Sequence, residues 1–295
     1  MGPTAVGKTE LSLSLVPEKF EIISADSVQV YRYLDIGSGK PEQEILAARK
    51  HHLIDIVDPD YPFSAGEYCR MAETACTEIF KKSRIPLFVG GTGLYIDSFF
   101  LGIASIPDID ISVRNEIYRE MEEKGLEHLH GELLKHDPEF VKGVHPKDKQ
   151  RIIRGLEVLR GTGRPLSSYY SENRGFQSEK TLFIGLNDDR DLIRKRIAAR
   201  VGRMIESGLV DEVQNLRGRG YGPELKSMKS IGYAEINSFL DGLMPFNEAV
   251  DKIKINTAQY AKRQMTWFRK RDNIAWYRPE ESKKIINHVQ EWIDN

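Results

Sequence analysis

Hydrophobic positions in the first hundred residues alternate between helical and strand-like patterns. Residues 10–16 and 66–82 have the character of helices, whereas residues 20–23 and 85–89 form short apolar runs that predict strands. Helices that alternate with strands favour a parallel sheet with helices on both faces. The sequence therefore predicts an α/β fold.

From Ser112 the pattern changes to helical segments rich in Glu, Lys and His. The breaks between these segments fall at Gly125, Pro138, Pro146 and Gly163-Arg164-Pro165. Residues 181–186 then return to a strand-like run. We therefore expect a helical insertion at residues 107–180 within a core formed by residues 1–106 and 181–295. Further helices are predicted at residues 191–207, 210–217 and 246–270.

Composition narrows the class of protein. The chain has 40% hydrophobic and 29% charged residues, no apolar run near the roughly 18 residues of a membrane span, and no basic-then-apolar leader. We expect a soluble, cytoplasmic protein. Its two cysteines, Cys69 and Cys76, exclude a disulfide framework and are interpreted as buried thiols on one helix face.

The formal net charge of −1 hides a strong asymmetry. Residues 1–150 carry 17 Lys and Arg against 25 Asp and Glu, a net charge of −8, whereas residues 151–295 carry 26 against 19, a net charge of +7. A basic half is one signature of nucleic-acid binding, although solvated helix faces are a commoner cause.

The most specific local motif matches the phosphate loop G-x-x-x-x-G-K-[ST], a nucleotide-binding and ATP-binding signature. It consists of Gly2-Pro3-Thr4-Ala5-Val6-Gly7-Lys8-Thr9. Its backbone amides can surround a phosphate, Lys8 adds a positive charge, and the Thr9 hydroxyl can bind Mg²⁺. The alternative is a glycine-rich turn that caps a helix, which would not require Lys8 beside Thr9.

A phosphate loop ordinarily follows a buried strand. Here only Met1 precedes Gly2. We therefore expect the first strand of the core to be missing from this sequence.

Two further segments follow predicted strands, where ligands bind in α/β proteins. Asp26 comes after the first strand and is a candidate general base, a magnesium ligand through water, or a helix N-cap with Ser27. Position alone favours the cap. The next strand ends in Gly90-Gly91-Thr92-Gly93 rather than in a magnesium-binding Asp, which weakens the interpretation as an ATPase.

Cations accumulate in the second half of the chain. Residues 190–203 contain six of them, residues 150–154 read Gln-Arg-Ile-Ile-Arg, and residues 260–271 interleave aromatic residues with cations. Such segments can contact phosphates and stack on bases. For Trp267 and Phe268 we favour the alternative that both belong to the core.

These motifs together resemble the bacterial tRNA dimethylallyltransferases, also called tRNA isopentenyltransferases. The resemblance covers residues 2 to about 270, with the motifs in family order. Besides those quoted above, it rests on Asp26-Ser27-Val28-Gln29-Val30-Tyr31, His51-His52-Leu53-Ile54-Asp55-Ile56 with Asp58-Pro59, Gly90 to Tyr95, residues 150–158 with Thr162-Gly163-Arg164-Pro165, Ser230-Ile231-Gly232-Tyr233, Ala261-Lys262-Arg263-Gln264 and Thr266-Trp267-Phe268-Arg269.

The resemblance implies a fold, an activity and a cofactor. The expected fold is a P-loop kinase-like core with a helical insertion that binds the tRNA anticodon stem-loop. The expected reaction transfers a dimethylallyl group from dimethylallyl diphosphate to the exocyclic amine of the adenine 3′ of the anticodon, in tRNAs that read codons beginning with U. It also implies Mg²⁺, and we expect a monomer.

The resemblance also assigns roles to residues. Asp26 becomes the general base. The diphosphate is expected to meet the loop from Gly2 to Thr9, with Lys8, Arg200 and Mg²⁺ on Thr9 stabilising the leaving group. Contacts with tRNA are expected from Asp26, Ser27, Val28, Gln29, Thr92, Arg114, Gln150, Arg151, Ile152, Ile153 and Arg154.

Three alternative functions remain open at this stage. A nucleotide or nucleoside kinase would use the same phosphate loop. An adenylate isopentenyltransferase would use the same chemistry on a free nucleotide, although the helical insertion favours a larger RNA acceptor. A non-catalytic RNA-binding protein is the third alternative.

Overall fold

The computed structural model describes residues 1–15, 18–172, 175–176 and 180–295. The chain divides into two compact units. The first unit comprises Met1–Phe99 and Ser178–Asn295, and the second comprises Phe100–Gln177. The second unit covers most of the region for which the helical insertion is predicted.

The N-terminal part of the first unit alternates helices and strands, in agreement with the predicted α/β fold. Its elements are α1 (Lys8–Ser14), β1 (Phe20–Ala25), α2 (Gln43–Ala48), β2 (His51–His52), α3 (Ala65–Lys81), β3 (Ile85–Gly90) and α4 (Gly93–Leu101). The strands pair in parallel in the order β2-β1-β3. All six residues of β1 are buried, which explains its nearly continuous apolar sequence.

Sequence signals also explain the long helix α3. Its capping box pairs Ser64 with Glu67: the Glu67 amide donates to the Ser64 hydroxyl at 3.2 Å, and the Ser64 amide donates to the Glu67 carboxylate at 3.0 Å. The buried face of α3 follows the helical repeat and includes Tyr68, Ala72, Ala75, Cys76 and Ile79. Cys76 is thus buried as expected, whereas Cys69 is half-buried.

The second unit is helical. It contains α5 (Ile111–His136), α6 (Pro138–Val141) and α7 (Lys149–Thr162). The predicted break at Gly125 is a kink inside α5, where φ is 81°. Helices α5 and α7 pack through a core that includes Ile117, Leu129, Leu133, Ile152, Ile153 and Leu156.

The C-terminal part of the chain returns to the first unit. Its elements are β4 (Phe183–Leu186), α8 (Arg190–Glu206), α9 (Leu209–Gly218), α10 (Tyr233–Leu240), α11 (Phe246–Phe268), β5 (Ile274–Tyr277) and α12 (Ser282–Asp294). Strands β4 and β5 pair in parallel. None of the helices in the described part of the chain is long and apolar enough to cross a bilayer.

Met1 lies against β4. Its amino group donates to the Ile184 carbonyl at 2.7 Å, and the Leu186 amide donates to the Met1 carbonyl at 2.8 Å. The phosphate loop is therefore connected directly to this strand. The expectation of a missing first strand stays a prediction.

A buried ionic cluster holds the ends of the three-stranded sheet together. Glu21 on β1 is 2% exposed and accepts hydrogen bonds from Lys82 at 2.9 Å and from Arg84 at 2.9 Å, and it bonds His52 at 2.8 Å. Burial alone would raise the pKa of Glu21, but hydrogen bonds from Lys82 and His52 outweigh burial and lower this pKa to about 2.

We predict that Glu21→Gln lowers the free energy of unfolding by about 1–3 kcal/mol at neutral pH, because the cluster loses its charge-assisted hydrogen bonds. The folded-state pKa lies below the unfolded value, so the stabilisation is present above about pH 4.5 and is lost as pH falls toward about 2. Urea unfolding at several pH values should show a weaker acid dependence in the variant. Glu78→Gln, an exposed change on α3, is the control, and equal acid dependence in Glu21→Gln and wild type would contradict the account.

Candidate active site

The phosphate loop forms a tight turn before α1. Ala5 and Gly7 have φ of 61° and 95°, so the backbone reverses twice before Lys8 begins the helix. Such successive turns direct amide groups toward one point, as in other anion-binding loops. The motif predicted from the sequence therefore has the expected geometry.

A cavity of about 460 Å³ opens beside the loop. One wall is the loop itself, and the other is a face of α8 on which three arginines follow the helical spacing of four and three residues. The lining residues are Ala5, Val6, Gly7, Lys8, Thr9, Glu10, Arg196, Ala199, Arg200, Arg203 and Pro279. The concentration of cations makes this cavity suitable for a phosphate or diphosphate.

Arg200 connects the loop to another part of the unit. Its guanidinium donates to the Thr4 hydroxyl at 3.2 Å and to the Ser38 carbonyl at 3.2 Å. Burial lowers the pKa of Arg200, and the neighbouring Asp26 carboxylate opposes this change. An arginine nevertheless stays protonated, so a buried positive charge faces the cavity.

Lys8 is half-buried in the same loop. Its ammonium donates to the Pro3 carbonyl at 2.7 Å. Burial lowers the pKa of Lys8 to about 8, with Asp26 acting in the opposite direction and Arg200 adding to the decrease. An anion in the cavity would favour the protonated form of Lys8.

Asp26 follows β1 at the same edge of the sheet. Its Oδ1 atom accepts hydrogen bonds from the amides of Val28 at 2.8 Å and Gln29 at 3.3 Å. Residues 27–30 form a turn rather than a helix, so the helix N-cap interpretation is corrected: Asp26 caps a turn. Its Oδ2 atom has no hydrogen-bond partner within the described ranges. The same carboxylate is near enough to Lys8 and Arg200 to oppose the lowering of their pKa values by burial.

The loop after β3 reaches Asp26 because β1 and β3 end side by side, with Ala25 opposite Gly90. The Thr92 hydroxyl accepts a hydrogen bond from the Ser27 amide at 3.0 Å. The sequence prediction that Thr92 and Asp26 share one crevice therefore follows from the strand register.

Gln264 on α11 is a buried residue of this crevice to which the sequence analysis gives no role of its own. Its amide oxygen accepts from the Thr4 amide at 2.8 Å, and its amide nitrogen donates to the Gly91 carbonyl at 2.8 Å. Tyr260, one helical turn earlier, is also near Asp26: burial raises its pKa to about 12, and the charge of Asp26 contributes. Their spacing of four on one helix is the signal that could have identified them.

The aromatic residues after Gln264 are structural, as expected. Phe268 is fully buried. The Trp267 indole donates to the Asp97 carboxylate at 2.6 Å, and Arg271 donates to the other oxygen of Asp97 at 2.7 Å. These contacts fix α4 against α11.

The second unit carries the remaining candidates for RNA contact. Gln150 and Arg151 are exposed on α7, and Arg154 pairs with Glu157 at 2.9 Å. Arg114 on α5 lies 3.8 Å from the same Glu157 carboxylate.

The side chains of Ile152 and Ile153 are 0% and 1% exposed. The helical periodicity of α7 directs both side chains toward the core of the second unit. The expectation that these two side chains contact RNA is corrected, since only Gln150, Arg151 and Arg154 remain accessible on this turn.

The residues around the phosphate loop fit the implied Mg²⁺. Thr9 is exposed at the cavity and offers a hydroxyl, beside the Glu10 carboxylate. Mg²⁺ commonly combines few protein ligands with substrate phosphates and water, so this sparse set suits it. Elsewhere in the described residues, Glu120, His128 and Glu132 of the second unit lie close together, but both glutamates are paired with Arg160.

Comparison with known proteins identifies the family. A family model described as IPP transferase matches residues 29–271. The chain belongs to the IPP transferase family. The resemblance found in the sequence is thereby confirmed, and family membership makes the protein a prenyl-transferring enzyme.

Individual relatives agree with this family. The chain is 46% identical to tRNA dimethylallyltransferase 2 of Geotalea uraniireducens over 298 residues, which cover 99% of this chain and 96% of the relative. It is similar to the crystal structure of the tRNA isopentenylpyrophosphate transferase from Bacillus halodurans, with 37% identity, a TM-score of 0.69 and coverage of 99% and 95%. A eukaryotic dimethylallyltransferase acting on tRNA shares 27% identity with a TM-score of 0.75, over 90% of this chain and 68% of that one.

We predict that the affinity for inorganic diphosphate falls as pH rises above about 8, because deprotonated Lys8 no longer attracts the anion. Lys8→Arg is the matched control, since its guanidinium stays charged throughout the range. The ratio of the wild-type Kd to the Kd of this variant should rise by up to about tenfold per pH unit. Calorimetry from about pH 7 to about pH 9.5 measures this ratio, and a constant ratio would contradict the prediction.

Proposed function

We propose that the enzyme transfers a dimethylallyl group from dimethylallyl diphosphate to the exocyclic amine of the adenine 3′ of the anticodon, in tRNAs that read codons beginning with U. The relatives described above act on tRNA by their names, and we extend that substrate to this chain. We further expect it to work as a monomer in the cytoplasm.

One observation carries the proposal: a carboxylate with an unoccupied oxygen, Asp26, lies beside the half-buried cations Lys8 and Arg200. A prenyl transfer needs a site for the departing diphosphate and a base for the accepting amine. Here both are formed in a single crevice of the first unit.

The cationic side of the crevice stabilises the leaving group. As the bond between the allylic carbon and the diphosphate oxygen breaks, negative charge accumulates on the diphosphate. The loop amides, Lys8 and Arg200 are already oriented toward this charge, so little reorganisation is needed. Mg²⁺ held by Thr9 and the diphosphate would neutralise further charge there.

Asp26 acts on the other substrate. The lone pair of an exocyclic adenine amine is delocalised into the ring, which makes the amine a poor nucleophile. As the new bond between nitrogen and the allylic carbon forms, the amine must lose a proton, and the Asp26 carboxylate accepts it. The products are the alkylated adenine and free diphosphate.

The RNA is held by both units in this proposal. The target base must leave its stack, at a cost of only a few kcal/mol for an unpaired loop base. In the first unit, Asp26, Ser27, Val28, Gln29 and Thr92 surround it. In the second unit, Arg114, Gln150, Arg151 and Arg154 would contact phosphates of the anticodon stem-loop.

Acceptor specificity tests the proposed function. The protein is incubated with labelled dimethylallyl diphosphate, Mg²⁺ and either unmodified tRNA or AMP, and in parallel with labelled ATP and nucleosides. We expect label on tRNA alone. Label on AMP but not on tRNA would favour an adenylate isopentenyltransferase, phosphate transfer to nucleosides would favour a kinase, and no transfer would favour a binding protein.

In the same assay, Asp26→Asn should reduce kcat by about 10²–10⁴-fold, the usual scale for losing a general base. Asparagine keeps an oxygen that can accept from the Val28 and Gln29 amides, so the turn and the tRNA affinity should persist. Asp60→Asn, an exposed change, controls for altered charge. Near-normal turnover in Asp26→Asn would indicate that Asp26 only caps the turn and is not the base.

A further inference from the structure

A short segment, residues 35–40, lies between the active site and helix α9. The Glu212 carboxylate on α9 accepts hydrogen bonds from three consecutive amides of this segment: Asp35 at 3.1 Å, Ile36 at 2.7 Å and Gly37 at 3.2 Å. The Tyr233 hydroxyl donates to the same carboxylate at 2.7 Å. Four donors on one carboxylate form a strong anchor, since hydrogen bonds to ionised groups are stronger than those between neutral groups.

The opposite side of the segment faces the active site. The Ser38 carbonyl accepts from the Arg200 guanidinium at 3.2 Å, and the Gly39 carbonyl accepts from the Gln29 side chain at 3.2 Å. Both donors are site residues. The segment therefore transmits the position of Glu212 to the groups that meet the two substrates.

Two glycines allow this close packing. A Cβ atom on Gly37 would lie 2.5 Å from the Tyr233 ring, and a Cβ atom on Gly39 would lie 2.0 Å from the Arg200 guanidinium. Gly39 also has φ of 61°. The backbone of residues 37–39 thus packs directly against Tyr233 on one side and Arg200 on the other. A displacement of this segment would therefore displace the arginine.

A second anchor acts only at the ends of the segment. The Lys40 ammonium donates to the Asp35 carboxylate at 2.7 Å, to the Tyr31 carbonyl at 2.7 Å and to the Asp55 carboxylate. None of these bonds restrains the peptide groups of residues 36–38. Glu212 restrains the amides of Ile36 and Gly37. Bonds from the Gly39 amide to the Ile36 carbonyl at 3.0 Å and from the Ser38 hydroxyl to the Leu34 carbonyl at 2.5 Å complete this turn.

We propose that Glu212 is a positioning residue, which fixes residues 35–40 so that Arg200 and Gln29 face the diphosphate and the acceptor base. The catalytic meaning of this role rests on the proposed function. The orientation of Arg200 toward an anion does not depend on the proposed function.

A double-mutant cycle tests the proposal with inorganic diphosphate as the probe. Calorimetry gives the Kd for wild type, Glu212→Ala, Arg200→Ala and the double variant. Because Glu212 acts on Arg200 through residues 35–40, Glu212→Ala should weaken diphosphate binding about tenfold. On the Arg200→Ala background the same change should have less than about a twofold effect. Asp211→Ala, an exposed neighbour on α9, is the control and should bind like wild type.

Two milder variants test the proposal if Glu212→Ala fails to fold. Glu212→Gln retains one carbonyl oxygen and Tyr233→Phe retains the three amide contacts, so both should weaken binding less than Glu212→Ala. Thermal unfolding of every variant shows how much fold is lost. The proposal would be overturned if Glu212 substitution changed the Kd for diphosphate by the same factor with and without Arg200. Such a result would indicate general destabilisation.

Transfer kinetics separate this proposal from the proposed function. If wild type transfers no prenyl group but the diphosphate cycle shows coupling, the proposed function alone fails. If wild type prenylates tRNA and the cycle shows no coupling, the role of Glu212 fails. If both proposals are correct, Glu212→Gln should lower kcat/KM for dimethylallyl diphosphate by more than its decrease in thermal midpoint would explain. Asp211→Ala should change neither kcat/KM nor the thermal midpoint.

Discussion

The partly buried guanidinium of Arg200 is the constraint on which the site depends. A charge removed from water must find partners, and in this protein the partners are the Thr4 hydroxyl of the phosphate loop and the Ser38 carbonyl. These are neutral acceptors, so the positive charge remains uncompensated except by nearby Asp26. In the proposed function, a diphosphate in the adjoining cavity would compensate this charge.

The opposing charges of the crevice divide the chemistry between two substrates. In the proposed reaction, Lys8 and Arg200 stabilise an oxygen leaving group, whereas Asp26 receives a proton from a nitrogen nucleophile. The acidic and basic halves of the sequence do not correspond to these roles, because Arg200 comes from the basic half and joins a loop from the acidic half in one compact unit. The charge asymmetry of the sequence indicated a polyanionic partner, but the cations are shared between phosphate binding and surface positions.

Local motifs made much of the site predictable. The phosphate loop was readable from its own motif. Asp26 and Thr92 each follow a strand whose position was readable from apolar spacing, and parallel strands bring their carboxyl ends together. Gln264 and Glu212 were not predictable in this way, since their partners lie about 175 to 260 residues away and meet only through packing of α9 and α11. Ile152 and Ile153 were wrongly assigned as contacts because a contiguous motif was carried over without the helical repeat that turns them inward.

The most direct measurement is kcat/KM for dimethylallyl diphosphate in Arg200→Lys. Lysine keeps the charge but lacks the planar fork that reaches the Thr4 hydroxyl and the Ser38 carbonyl together. The account predicts a decrease of about 10- to 100-fold with an unchanged thermal midpoint. A value within about twofold of wild type would contradict the claim that this shared guanidinium organises the site.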